Sequence, residues 1–291
     1  MVLTGILKKR LDGDGFMQLF HYTDVNAIKS ILENRTLRLT DVRYLNDSEE
    51  MHNGIATIID LVKHEVAEST DEDEFFMEAG EYIESGLVGK AGYGIENRPV
   101  FICSFSSAGD LLSQWRAYGS YAIEFAANAI PHSLSACIYD EFTKTPLAST
   151  AAVKSLKAIS KDMLINDGHV AENGLESFSD LVGLAATYKH ESFSEEQEFR
   201  IIVGHNIDPE IEDGLEVLFR PRGDMLVPYV ELKFPLESIT AIHVGPMRDQ
   251  DLAFISMKAF VDKLNLDLFI KDNTYLHDFV VVKSSIPYRA P

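Results

Sequence analysis

Two stretches of helical periodicity, at about residues 48–90 and 145–190, interrupt a chain whose other apolar runs are short and strand-like. The strand-like runs precede, separate and follow the helical stretches. They are MQLFHYT (17–23), LRLT (37–40), PVFICSFSS (99–107), YAIEFA (121–126), SACIYD (135–140), FSEEQEFRIIVG (193–204), EVLFR (216–220), VPYVELKF (227–234), ITAIHVG (239–245) and LDLFIK (266–271). No regular alternation of strand and helix runs through them, so the pattern predicts an α+β fold and not a wound parallel sheet. Without internal repeats or a low-complexity linker, residues 1–291 read as a single domain with two helical insertions.

Local signals place the helices. Asp24 can cap a helix over VNAIKSILEN (25–34), whose Val25, Ile28, Ile31 and Leu32 share a face. Met51, Ile55, Ile58, Ile59, Val62 and Val66 form the buried stripe of a longer helix, with Asp47 or Ser48 as its cap. The acidic run Asp71–Glu74 suits the start of another. LLSQWRAYG (111–119) reads as a short helix or turn, and residues 145–190 as helix broken near NDGH (166–169).

Charge narrows the function. With 46 acidic and 26 basic residues the formal charge is −20. Such a surface repels phosphate backbones and anionic membranes, which argues against non-specific nucleic-acid binding and membrane association. The N-terminal residues lack the apolar core of a signal peptide, and no apolar stretch approaches the roughly 18 residues of a bilayer span, so a cytoplasmic location is expected. Cys103 and Cys137 form no CxxC pair and sit in apolar runs, as small buried hydrophobes do. They could bridge only if their strands were neighbours.

Four blocks carry polar chemistry: His21-Tyr22-Thr23 at a strand end, Ser104-Phe105-Ser106-Ser107, Ser113-Gln114-Trp115-Arg116, and Glu195-Glu196-Gln197-Glu198-Phe199-Arg200. If the last is a strand, Glu196 and Glu198 project to one face. Two adjacent carboxylates raise each other's pKa unless a cation is close. They form either an exposed edge with Arg200 nearby or a carboxylate site. His21 is either a satisfied histidine or a ligand contact, and Trp115 either core or a stacking platform. Asn46-Asp47 with Glu49 and Glu50 reads as a helix start before a metal site. Gly245-Pro246 reads as a strand-to-helix turn before an anion site. Ser113 with His21 lacks a G-x-S-x-G elbow, which argues against a serine hydrolase.

The blocks FHYTDVNAIKSILENRTLRLTDVRYLNDSEE, FICSFSSAGDLLSQWRAYG, FSEEQEFRIIV, ITAIHVGP and SSIPYR, in this order, resemble the bacterial family called domain of unknown function 2971 from about residue 20 to the end. The opening His-Tyr-Thr and Glu196-x-Glu198 are similar to elements of ADP-ribosyltransferase-like domains. That resemblance implies split antiparallel sheets around a cleft, with NAD as substrate, an unknown acceptor and no metal. It implies Glu198 as the catalytic carboxylate and Glu196 as the acceptor-side one. His21 would bond the adenosine ribose, with Tyr22, Thr23 and Ser113 also on the cofactor. Tyr22, Tyr118 or Trp115 would stack on nicotinamide, and Arg116 or Arg43 would pair with the pyrophosphate. A non-catalytic nucleotide-binding or protein-interaction module on the same fold is the alternative. A metal-dependent hydrolase would instead need carboxylates from residues 41–50 to converge with Glu196 and Glu198.

Overall fold

The computed structural model describes residues 17–45, 48–69, 75–91, 99–204, 215–271 and 279–287. In chain order the elements are β1 (Gln18–Thr23), α1 (Val25–Asn34), β2 (Thr36–Asp41), α2 (Ser48–Glu68), α3 (Phe76–Ala91), β3 (Phe101–Ser106), α4 (Leu112–Tyr118), β4 (Tyr121–Ala126), β5 (Ser135–Ala136), α5 (Glu141–Ile165), α6 (Glu172–Ala185), β6 (Glu198–Val203), β7 (Leu218–Arg222), β8 (Met225–Lys233), β9 (Ile239–Val244), α7 (Gln250–Lys271) and β10 (Val280–Lys283). The fold is α+β, as the grouping of periodicities predicts.

The strands belong to one sheet whose main path runs β10-β9-β4-β1-β3-β2-β8-β7. β6 pairs with β3 and β5, off that path. All the strand pairings are antiparallel except β9 with β10. Asp24 caps α1 by accepting from the backbone N–H groups of Asn26 (2.8 Å) and Ala27 (2.9 Å). Arg35 then takes a left-handed conformation (φ 55°), ending the helix and turning the chain into β2.

Two large apolar cores lie around the sheet, with a smaller cluster of Phe20, Tyr22, Trp115 and Ala122. One is helical: Met51, Ile55, Ile58 and Val62 of α2 meet Ala79, Ile83 and Leu87 of α3, Leu156 and Ile159 of α5, and Leu181 and Leu184 of α6. The other joins Leu19, Phe101, Phe105, Ile123 and Phe125 of the sheet to Ile28 and Leu32 of α1 and to Met257 and Val261 of α7. Cys103 and Cys137 are buried and form no disulfide among the described residues. Their strand segments lie on opposite sides of β6: Cys103 pairs with Ile201, while the Cys137 N–H donates to the Glu198 carbonyl. Among the described residues no helix is long and apolar enough to cross a membrane.

Three local expectations are corrected. LDLFIK is the last turns of α7 and not a strand. It follows the preceding helical run with no Gly or Pro to stop it, so helix propagation overrides its short alternation. The strand after it is β10, in FVVVK, which pairs in parallel with β9. The SACIYD strand contracts to Ser135–Ala136, followed by an isolated Ile138–Tyr188 bridge. The FSEEQEFRIIVG strand starts only at Glu198: Glu191–Glu196 form a 3-10 helix, and Gln197 (φ 44°) is left-handed. The proposed cap Asp47 and the acidic run Asp71–Glu74 lie outside the described residues.

Candidate functional site

β3 is paired along its whole length on one side, from Phe101 opposite Val203 to Ser106 opposite Glu198 of β6. Its other side is shared. β1 meets it at one pair, Phe20 with Ser106. β2 meets it near the other end, Thr40 with Ile102 and Asp41 with Phe101. Cys103, Ser104 and Phe105 therefore pair with neither β1 nor β2. A cavity of about 290 Å³ opens at this split, with α1 along one wall and α4 along another.

His21, on β1, spans the gap. Its Nδ1 lies 2.9 Å from the Ser104 carbonyl, which only accepts, so Nδ1 carries the proton. Burial lowers the His21 pKa, and the Ser104 hydrogen bond opposes this only in part. The imidazole is thus neutral near pH 7, and its Nε2 lone pair is available at the cavity wall. Cys103 also lines the cavity, but burial, with Glu198 adding to it, pushes its thiol up to about 12, so it is no nucleophile at neutral pH.

At the Ser106 end of β3 stand two cavity-lining carboxylates, Glu196 and Glu198. They share the buried Lys189 ammonium, which donates to one oxygen of each. The other Glu198 oxygen accepts from Arg200 Nε at 2.6 Å. Arg200 is two residues on along β6, and so on the same face. Burial alone would raise the Glu198 carboxyl; the charges and hydrogen bonds of Arg200 and Lys189 outweigh it and hold the carboxyl at about 2. The backbone fixes the carboxylates too: the Glu198 N–H donates to the Tyr139 hydroxyl (2.8 Å), and the Ser106 hydroxyl donates to the Glu196 carbonyl.

The opposite end is cationic. Arg38 of β2 and Arg220 of β7 line the cavity. Arg220 donates to the Thr40 hydroxyl at 3.3 Å, and its buried Nε–H has no acceptor among the described residues. Burial, then the neighbouring charges of Arg38 and Arg222, lower its pKa. Arg38 donates to Glu231 (3.1 Å) and lies over the Tyr229 ring. Thr40 is opposite Ile102 and Glu198 opposite Ser106. Four residues of strand, roughly 13 Å, thus separate the two ends along β3.

The cavity brings together His21, Tyr22, Thr23, Tyr118, Glu196 and Glu198. It leaves out four other sequence candidates. Arg116 is exposed and does not line it; the α4 face carrying Gln114 and Tyr118 does, and Arg38 and Arg220 supply the positive charge instead. Trp115 is core: its indole N–H donates to Asp110 (2.9 Å), and its ring stands edge-on to Tyr22. Ser113 does not line the cavity, and its buried hydroxyl has no partner among the described residues. Arg43 likewise turns away, forming a two-toothed pair with Asp41 (3.0 and 2.6 Å). Of the aromatic candidates, Tyr118 is 41 % exposed, whereas the Tyr22 hydroxyl is occupied by the Ala108 carbonyl and the Leu111 N–H. Sequence reasoning missed Lys189, Arg38, Arg220 and the use of Gln114. Among the described residues no cluster of three or more His, Cys, Asp or Glu is placed to hold a metal ion.

No family model, curated protein or solved structure matches this chain.

Proposed function

We propose that this cavity binds NAD and that the protein is an ADP-ribosyltransferase or NAD glycohydrolase of the ADP-ribosyltransferase-like kind. The observation that carries this reading is the polarity of one cavity, with an ionised carboxylate at one end and two arginines at the other. NAD has matching parts: a pyrophosphate, and a ribose that becomes positively charged as its bond to nicotinamide breaks. Arg220 and Arg38 take the pyrophosphate, where guanidinium geometry suits paired oxygens. His21 accepts a hydrogen bond from a ribose hydroxyl through Nε2. Tyr118 stacks on a flat ring.

In the reaction the C–N bond to nicotinamide breaks, and its electron pair leaves with nicotinamide. A hydroxyl of water or of the acceptor forms the new bond to the ribose carbon and loses its proton to solvent water. Glu198, ionised across the neutral range, acts as a fixed negative charge beside the oxocarbenium-like centre and not as the base. Glu196 faces the nucleophile. The test is nicotinamide release from NAD. Glu198→Gln should retain the fold and lose on the order of 10²–10³-fold in rate.

One observation favours a second reading, a nucleotide-binding module without catalysis. Both Glu198 oxygens are already held by Lys189 and Arg200, so two cations offset the charge of the two glutamates. NAD binding by the wild type with no nicotinamide release under any acceptor condition would select this reading.

A further inference from the structure

Gln114 is a buried residue of the cavity wall whose side chain ends in a primary amide. The residue is 5 % exposed, lies on α4 and lines the cavity, and its amide makes no hydrogen bond among the described residues. An amide that reaches a cavity without an internal partner keeps its donors and its acceptor for a ligand. Tyr118 lies four residues further on, on the same helix face, and also lines the cavity.

The placement of α4 is fixed by packing. Trp115 stands edge-on to Tyr22 of β1, with ring centroids 4.6 Å apart. Gly119 ends the helix at φ 133°, where a Cβ would lie 2.4 Å from the Thr23 carbonyl oxygen. Only glycine allows that approach. Gln114 and Tyr118 are therefore held on the β1 side of the cavity, where Phe20 and Glu198 flank Ser106.

A primary amide offers both donors and an acceptor, and its natural complement is another amide edge. We infer that Gln114 is the specificity-determining residue of the cavity, pairing with the carboxamide of a planar ring that stacks on Tyr118. This rests on the NAD reading and names its recognition element: the ring is nicotinamide, read by its amide. A carboxylate in place of that amide supplies acceptors only, leaving the Gln114 carbonyl facing a like partial charge. Nicotinic acid is then the disfavoured analogue.

The experiment is calorimetric titration of the full chain with nicotinamide, nicotinic acid and ADP-ribose as separate probes. Gln114→Met, of similar length and without the amide, is compared with wild type, and circular dichroism checks folding. Gln114→Leu serves as a second variant if the first unfolds. Wild type should favour nicotinamide over nicotinic acid by about tenfold or more, the scale of one well-placed hydrogen bond to a buried group. The variant should lose that preference and keep its ADP-ribose affinity within about twofold, a change small against that hydrogen bond. ADP-ribose binding without amide preference in wild type, or a preference that survives Gln114→Met, overturns the assignment and leaves the NAD reading standing. Failure of wild type to bind either nicotinamide or ADP-ribose overturns both.

Discussion

The imidazole of His21 takes the place of a neighbouring strand for the carbonyl of Ser104. It donates from Nδ1 at 2.9 Å at the point where β1 has already diverged from β3. The same ring both closes a backbone hydrogen bond and presents its second nitrogen to the cavity. His21→Ala should therefore cost stability as well as ligand affinity. The loss should be about 1–3 kcal/mol, the cost of a buried carbonyl left without a donor. His21→Asn, which sets an amide nitrogen near the Nδ1 position, should recover part of the stability. Urea unfolding of the three proteins measures this; equal stability of wild type and His21→Ala would refute the bracing role.

Lys189 holds two carboxylates at once, so its removal should be more damaging than that of either partner. Lys189→Met leaves Glu196 and Glu198 facing each other with Arg200 on one of them. Breaking a buried pair in this way costs about 3–5 kcal/mol. Adding Glu196→Gln removes one of the repelling charges and should restore a measurable part of the loss. A double-mutant cycle by thermal or denaturant unfolding reads the coupling. Additive effects would mean that the three groups are energetically independent.

Acid should weaken the protein in two stages. The folded His21 has a lowered pKa, so the unfolded chain takes up that proton first as pH falls below about 6.5. The stability contributed by neutral His21 is full above that value and declines below it. Glu198 acts at lower pH, with its carboxyl held at about 2 against an ordinary value of roughly 4.3. Its contribution, on the order of 3 kcal/mol, is full above the ordinary value and is lost as pH falls toward the folded one. The stability gap between wild type and His21→Asn should narrow from pH 7 to 5. The gap between wild type and Glu198→Gln should narrow below about pH 4.3. Unfolding series at fixed ionic strength test both, and a gap that stays constant with pH contradicts the assigned direction.

Arg220 should trade stability for binding. Its buried Nε–H lacks an acceptor among the described residues, and Arg38 and Arg222 crowd it with like charge. Arg220→Gln should leave the ligand-free protein as stable or up to about 1 kcal/mol more stable, as changes that relieve functional strain often do. It should also weaken ADP-ribose binding by about tenfold or more, the loss of one charge-assisted hydrogen bond. Melting temperature and calorimetry give the two readouts. A destabilised variant with unchanged ADP-ribose affinity would make Arg220 purely structural.

The sequence made the strands and helices legible wherever periodicity and caps agreed. Asp24 predicted the start of α1, and the Met51–Ile55–Ile58–Val62 stripe predicted the buried face of α2. Period alone misled at LDLFIK, where helix propagation won. Glu196 and Glu198 converge, but not as alternate residues of one strand. Glu196 stands in a 3-10 helix, and what draws it to Glu198 is Lys189. Nothing local marks that lysine, because its role depends on the parallel Ile138–Tyr188 bridge that sets its segment beside β6. Arg38 and Arg220 were equally hidden. They come together because β8 lies between β2 and β7, placing residues 182 positions apart on one face.

The three residues in the middle of β3, from Cys103 to Phe105, have an unusual standing. They lie deep within a sheet, yet along one side they have the character of a border strand. On the outside of a protein such a border invites other chains to add to it and must be blunted by charge, bulges or brevity. Here the border faces a cavity between the diverging β1 and β2, with α1 along one wall. In the proposed reading, the bound ligand supplies the hydrogen-bonding partner that a further strand would otherwise give this border.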